Sequence, residues 1–263
     1  GEPLLYPYID ELIRYISERK LKTKIYTNGI TLNEKRLKEL KKCGATEFII
    51  HIDKFQRNSQ SEKEMNKIRQ RYCELFRKVG EVNLGFIMPL SKKNLSDLSM
   101  LANFYQRNSD IINLGVFTTM KEMLPNKTLD KNLTLSMQEA SSAVKDAFGL
   151  SYCAYIGKSE SNDVSWLFSL SAYKKGRFLG SFDDKFYKSI QERYYKKKHK
   201  HFITINNKPI KTSKLFFAFV NKSVRTIIKN SKKDEGDYIN SQVALLINAP
   251  DKIKNSWDMC NSC

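Results

Sequence analysis

The sequence has 263 residues, of which 41% are hydrophobic, and a formal net charge of +18. This apolar content excludes a disordered tail and suffices for one large domain or two smaller ones. Because the sequence has no long apolar run and no signal-like N-terminus, we expect a cytoplasmic protein with no membrane span. Its five cysteines are unevenly spaced, which argues against a disulfide framework.

The first 120 residues alternate short β-rich runs with amphipathic helical stretches, beginning with a helix over about residues 8–20. The predicted strands are 23–27, 47–52, 82–88 and 111–118, and the helices between them are 31–43, 61–79 and 95–107. Thr31 and Glu34 predict a capping box at the start of the second helix, and Gly44 predicts its end, which makes Cys43 a buried apolar residue. Such repeated units indicate a parallel sheet, either a barrel or an open doubly wound sheet.

Beyond residue 120 the pattern changes to an α+β arrangement without a motif that indicates chemistry. Helices are predicted over about 135–147 and 183–197, with hairpins of 164–173 with 177–182 and of 202–205 with 209–218. We expect a core domain over residues 1–120, an α+β substrate or accessory region over 121–250, and the start of a cysteine-rich metal or iron–sulfur segment over 251–263.

Polar residues follow the predicted strands at the ends where α/β proteins bind ligands. They are Thr27-Asn28-Gly29, His51-Ile52-Asp53, Met88-Pro89 and Thr118-Thr119. Gly1-Glu2-Pro3 puts a carboxylate and open backbone groups at a further strand end, a place that suits the ammonium group of a ligand. A strand-end Asp or His is often purely structural, and Thr-Asn-Gly is an ordinary turn sequence. The prediction of a ligand site therefore depends on the occurrence of Gly-Glu-Pro, Thr-Asn-Gly and His-Ile-Asp together and in this order.

This order resembles the radical S-adenosylmethionine superfamily, in which successive strands end in Gly-Gly-Glu-Pro, Thr-Asn-Gly and Ser-Ile-Asp. The resemblance covers about residues 1–120 and implies an α/β fold, a partial (β/α) barrel followed by the α+β C-terminal region. His51 stands where the family has the serine, so an imidazole contact replaces a hydroxyl one.

The resemblance also implies roles for individual residues in binding S-adenosylmethionine. The methionine amino group is held around Gly1-Glu2-Pro3, and Asp53 or His51 lies near the ribose or the carboxylate. Thr27 and Asn28 shape the pocket beside them. Residues 85–88, Gly85 to Met88, let the adenine approach the strand backbone.

The family's reaction is the reductive cleavage of S-adenosylmethionine to a 5′-deoxyadenosyl radical, which abstracts hydrogen from a substrate that the sequence does not identify. The resemblance implies a [4Fe-4S] cluster and an electron donor such as a flavodoxin or ferredoxin. The cluster's Cys-x3-Cys-x2-Cys motif is missing from these 263 residues. We therefore expect its ligands to precede Gly1, and the fragment alone to be inactive.

Cys260 and Cys263 have the spacing at which two thiolates bind one metal ion or cluster. They resemble the cysteine-rich extensions that hold auxiliary iron–sulfur clusters in the family, which is the interpretation we favour. Structural zinc and two incidental cysteines are the alternatives.

The alternative function is a basic RNA-binding module with a structural zinc site. The densest cation cluster, Tyr194 to His201, places tyrosines beside lysines in a way that suits a phosphate backbone. Cations near a helix C-terminus explain the cluster equally well, and lysines occur in every segment, so nucleic acid is a partner that we do not favour. His199 and His201 are interpreted as surface residues, because neighbouring positive charge disfavours a bound cation.

Overall fold

The first half of the chain forms consecutive β-α-β units. The computed structural model describes residues 1–54, 61–120, 133–157, 164–199, 209–218 and 220–249. After a short 3-10 turn, Pro3–Leu5, the elements are α1 (Ile9–Glu18), β1 (Lys24–Thr27), α2 (Glu34–Cys43), β2 (Glu47–His51), α3 (Glu62–Val79), β3 (Asn83–Leu90), α4 (Leu98–Arg107) and β4 (Ile112–Thr119). The four strands are neighbours in chain order and pair in parallel, which confirms the predicted parallel sheet.

The second half adds strands to the same sheet. Its elements are α5 (Met137–Phe148), β5 (Ala154–Gly157), β6 (Val164–Lys174), β7 (Arg177–Ser181), α6 (Asp184–Lys198), β8 (Ile210–Lys211), α7 (Lys222–Ser231) and β9 (Tyr238–Ile247). β9 lies parallel to β4 and antiparallel to β6, giving the order β1-β2-β3-β4-β9-β6-β5. The result is a mostly parallel, open α/β sheet, and the fold class is confirmed. The division at residue 120 stays a prediction.

The ends of α2 show one correct prediction and one wrong one. Gly44 ends the helix in the left-handed conformation, at φ 105°, and Cys43 is buried as expected. The capping box of Thr31 and Glu34 is wrong, because the side chain of Asn33 caps the helix by accepting a hydrogen bond from the Arg36 amide at 2.9 Å. Residues 29–32 form a turn that buries Leu32, so the helix begins after it.

The two predicted hairpins have different outcomes. β6 and β7 form the first one and pair antiparallel, as predicted. Residues 202–208 of the second lie outside the described residues. The prediction of a strand over residues 209–218 is wrong. Only Ile210–Lys211 is a strand, which pairs with β9, and Thr212–Ala218 is a 3-10 helix. Leu215 in that segment is buried in one apolar cluster with α7, which explains why the run does not alternate as a strand.

The sheet has a different core on each face. Alternate strand residues point to opposite faces, and one set packs beneath α1 to α5 in the largest apolar cluster. The other face carries a smaller cluster, which consists of Ile49, Leu114, Val116 and Leu245, with Ile87, Trp166 and Phe168 half-buried against it. The carboxyl ends of β1 to β3 meet at one edge beside this second face. In the described part of the chain, no helix combines the length and the apolar character needed to cross a bilayer.

Candidate cofactor-binding pocket

A cavity of about 360 Å³ lies at the carboxyl ends of β1 and β2. It is lined by Gly1, Glu2, Pro3, Tyr26, Thr27, Asn28, His51 and Ile87. The structure therefore brings together the three strand-end motifs that the sequence analysis singled out. Of the predicted pocket residues, Asp53, Met88, Gly85 and Phe86 are outside this lining.

Glu2 ties the beginning of the described chain to the end of β1. One carboxylate oxygen accepts hydrogen bonds from the Thr27 hydroxyl at 2.5 Å and from the Leu4 amide at 3.1 Å. The other accepts one from the Asn28 amide at 2.8 Å. A carboxylate has about four lone-pair positions, so three hydrogen bonds leave it able to accept one more from a ligand.

The surroundings of Glu2 keep its side chain ionised at neutral pH. Burial acts to raise the pKa of this carboxyl, but the hydrogen bonds from Thr27, Asn28 and Leu4 outweigh burial and bring the pKa below its ordinary value of 4.5. An ionised carboxylate that is held in place is suited to bind an ammonium group, since charge-assisted hydrogen bonds are among the strongest in proteins.

The turn Thr27-Asn28-Gly29 is held by its own side chains. The Gly29 amide donates to the Thr27 hydroxyl at 3.0 Å, and the Ile30 amide donates to the Asn28 side-chain oxygen at 2.8 Å. Gly29 has φ 73°, a conformation that favours glycine. Asn28 and Thr27 are consequently presented to the cavity by a turn with a defined shape.

The Nε2 atom of His51, the last residue of β2, contacts a carboxylate oxygen of Asp53. The Asp53 side chain is only 5% exposed, whereas that of His51 is 36% exposed and reaches the cavity. In parallel pairing His51 is the partner of Ile87 on β3, which places both side chains on the same face of the sheet. Asp53 thus acts on the cavity through the imidazole that it orients.

The side chain that β3 contributes to the cavity is Ile87. Met88 points to the opposite face and is buried in the main core, with its sulfur 4.0 Å from a nitrogen of Arg69. Gly85 is packed closely against β4, because a Cβ at this position would lie 3.0 Å from the Leu114 carbonyl oxygen. Ile87 lies within the predicted range 85–88, but the sequence analysis named Met88 as the binding residue, whereas the alternation of side chains along the strand turns Ile87 to the cavity and Met88 away from it.

Tyr26 is the cavity residue that sequence reasoning missed. β1 alternates between exposed and buried positions, and Tyr26 is 45% exposed between two buried neighbours. A large exposed aromatic side chain next to a strand-end motif was the available signal. Its ring adds apolar surface to a cavity that is otherwise polar on the β1 side.

The cysteines that the structure describes are structural. Cys43, Cys73 and Cys153 are buried and unpaired as thiols, and burial raises the pKa of Cys73 to about 12 and that of Cys153 to about 11. Cys260 and Cys263 lie outside the described residues, so their predicted metal site stays a prediction. Among the residues with described positions, no group of three or more His, Cys, Asp or Glu side chains is arranged to hold a metal ion.

The basic cluster lies at the end of α6. Lys196, Lys197 and Lys198 occupy its last turn and are exposed, and His199 follows in the left-handed conformation. Cations in this position interact favourably with the helix dipole. His201 lies outside the described residues.

The parallel strands and the strand-end pocket define this chain as an α/β protein with a cavity at the carboxyl edge of its sheet. In comparison with known proteins, residues 1–105 match the family model of the Radical SAM superfamily, which confirms the resemblance seen in the motifs over that segment. Among solved structures, the chain is similar to Streptococcus suis SuiB bound to S-adenosylmethionine, at 20% identity and a TM-score of 0.37, over 49% of this chain and 30% of that one. No curated protein matches the sequence.

Proposed function

We propose that this chain supplies the S-adenosylmethionine pocket of a radical S-adenosylmethionine enzyme. The observation that carries the proposal is the Glu2 carboxylate, ionised and fixed by Thr27 and Asn28 inside a cavity within the segment that matches the family. The whole protein's activity belongs to the proposal, since the match to a solved structure covers only 30% of that structure's chain.

The cavity residues fit the chemical groups of S-adenosylmethionine. Glu2 accepts a hydrogen bond from the methionine ammonium group, with the backbone of Gly1 and Pro3 beside it. His51, oriented by Asp53, donates to the ribose hydroxyls or to the carboxylate. Ile87 and Tyr26 provide the apolar surface that a purine requires.

Bound next to a reduced [4Fe-4S] cluster, S-adenosylmethionine supplies a 5′-deoxyadenosyl radical that takes hydrogen from a substrate. The protein's part is to hold the cofactor in one orientation and to exclude water. The proposal also includes cluster ligands that this chain does not contain and an electron donor such as a flavodoxin or ferredoxin. It further includes an auxiliary cluster or zinc at Cys260 and Cys263, and a cytoplasmic location.

The proposal is tested by measuring the affinity of the chain for S-adenosylmethionine by calorimetry. Glu2→Gln keeps the size of the side chain but removes the charge, and we expect it to weaken binding by about tenfold or more, the cost of losing a charge-assisted hydrogen bond. Glu11→Gln, an exposed change on α1, is the control and should bind like the unchanged chain. Equal affinity for all three proteins, or no binding by the unchanged chain, would contradict the proposal.

The alternative, a basic RNA-binding module, is supported by the exposed lysines at the end of α6. It requires affinity for single-stranded RNA that falls steeply with salt and is lost when Lys196, Lys197 and Lys198 become glutamate. The two functions use separate parts of the molecule, so the variants of one leave the other intact.

A further inference from the structure

Helix α3 lies outside the pocket, yet two of its side chains reach the turns that form it. Tyr72 and Arg69 are three residues apart and therefore lie on the same side of the helix. The Tyr72 hydroxyl donates to the Gly29 carbonyl oxygen at 2.7 Å, and Arg69 Nη2 donates to the Ile52 carbonyl oxygen at 2.7 Å. One helix thus holds the end of β1 and the end of β2 together.

The contact of Tyr72 with the first turn is unusually close. A Cβ at Gly29 would lie 2.7 Å from the Tyr72 hydroxyl oxygen and 2.8 Å from a methyl carbon of Ile50, so the hydroxyl sits where any other residue would place its side chain. The same turn carries Asn28, whose amide donates to Glu2. Tyr72 therefore acts on the position of the Glu2 carboxylate through the turn.

Arg69 is fixed more firmly than a surface arginine. Its side chain is 1% exposed and its Nη1 donates to the carboxylate of Glu62, itself 2% exposed, and to the Asn66 side-chain oxygen at 2.6 Å. The Ile52 carbonyl that Arg69 Nη2 holds belongs to the peptide bond leading into Asp53. Because Nη1 of the planar guanidinium is held by Glu62 and Asn66, Nη2 has a fixed position and sets the orientation of the Ile52–Asp53 peptide.

We infer that Tyr72 and Arg69 are positioning residues of the cofactor pocket, which fix the two strand-end turns at the spacing that one ligand must bridge. Tyr72 sets the turn that binds Glu2, and Arg69 sets the peptide that presents Asp53 to His51. The identity of the ligand rests on the proposed function, but the bracing of the two turns by α3 does not.

Tyr72→Phe tests the first contact, because it removes only the hydroxyl. We expect faster amide hydrogen exchange at residues 28–30 and a roughly three- to tenfold weaker affinity for S-adenosylmethionine, the range for one hydrogen bond. Tyr152→Phe is the matched control, since its hydroxyl also donates to a carbonyl, that of Ser141 at 3.0 Å, in the α5 region. It should change neither quantity at the pocket, even if it lowers global stability equally.

Arg69→Lys tests the second contact while keeping a positive charge beside Glu62. A lysine cannot bridge Glu62 and the Ile52 carbonyl as a fork does, so the NMR resonances of the His51 imidazole should shift and the affinity should fall. The pair Arg69→Met with Glu62→Gln removes both buried charges together and serves if the lysine variant does not fold. It should cause the same shift.

These measurements distinguish the positioning role of Tyr72 and Arg69 from the proposed binding of S-adenosylmethionine. Unchanged amide exchange in Tyr72→Phe together with unchanged His51 resonances in both Arg69 variants would overturn the positioning role, whatever the ligand is. If the unchanged chain fails to bind S-adenosylmethionine but exchange and resonances move as expected, the proposed function falls and the bracing by α3 stands. Affinities unchanged in all variants, with binding intact in the unchanged chain, would also overturn the positioning role.

Discussion

At the scale of single residues, Glu2 has both a structural and a proposed functional role. Its carboxylate joins the chain before α1 to the turn after β1, and the same hydrogen bonds that make this link keep the group ionised. The motif Gly-Glu-Pro was readable from the sequence. The hydrogen bonds to Thr27 and Asn28 were not, because they join residues about 25 positions apart.

The lowered pKa of Glu2 predicts how its contribution to stability depends on pH. The pKa in the folded state lies below the ordinary value of 4.5, so the stabilisation is fully present above pH 4.5 and is lost as the pH falls through the folded-state pKa. Urea unfolding of the unchanged chain and of Glu2→Gln should show a stability difference at pH 7 that shrinks at pH 3. Glu11→Gln serves as the control, and a difference that stays constant down to pH 3 would count against this role.

At the scale of elements, patterns of period two and 3.6 were sufficient for β1 to β4 and the helices between them. They failed where a buried residue overrides a local signal. Thr31 and Glu34 match a capping box, but Leu32 is buried in the preceding turn, and Asn33 caps α2 in place of Thr31. Likewise, the β-rich composition of residues 209–218 does not make a strand where Leu215 packs with α7.

The correction at α2 can be tested by two substitutions. Asn33→Ala removes the observed cap and should destabilise the chain by about 1 kcal/mol. Thr31→Ala removes the side chain that the sequence pattern favoured and should have little effect on the free energy of unfolding. Chemical denaturation measures both, and the reverse ranking would show that the cap is Thr31.

At the scale of the whole molecule, the sequence predicted the parallel half of the sheet and the edge at which the cavity lies. It did not predict that β9, from the C-terminal region, inserts beside β4. The apolar run at the end of β9 is compatible with a buried strand, but its partner lies more than 120 residues away, and short-range patterns do not specify such pairings. A sheet shared by both halves places Trp166 and Phe168 on the face where Ile87 borders the pocket.

The central claim is that this edge of the sheet binds S-adenosylmethionine. The most direct test is a map of amide NMR shifts of the full chain on addition of S-adenosylmethionine. We predict that the largest shifts cluster at Glu2, at residues 27–29 and at residues 51–53. Saturating addition that leaves these amides unmoved, or that moves instead those of Lys196 to Lys198, would contradict the account.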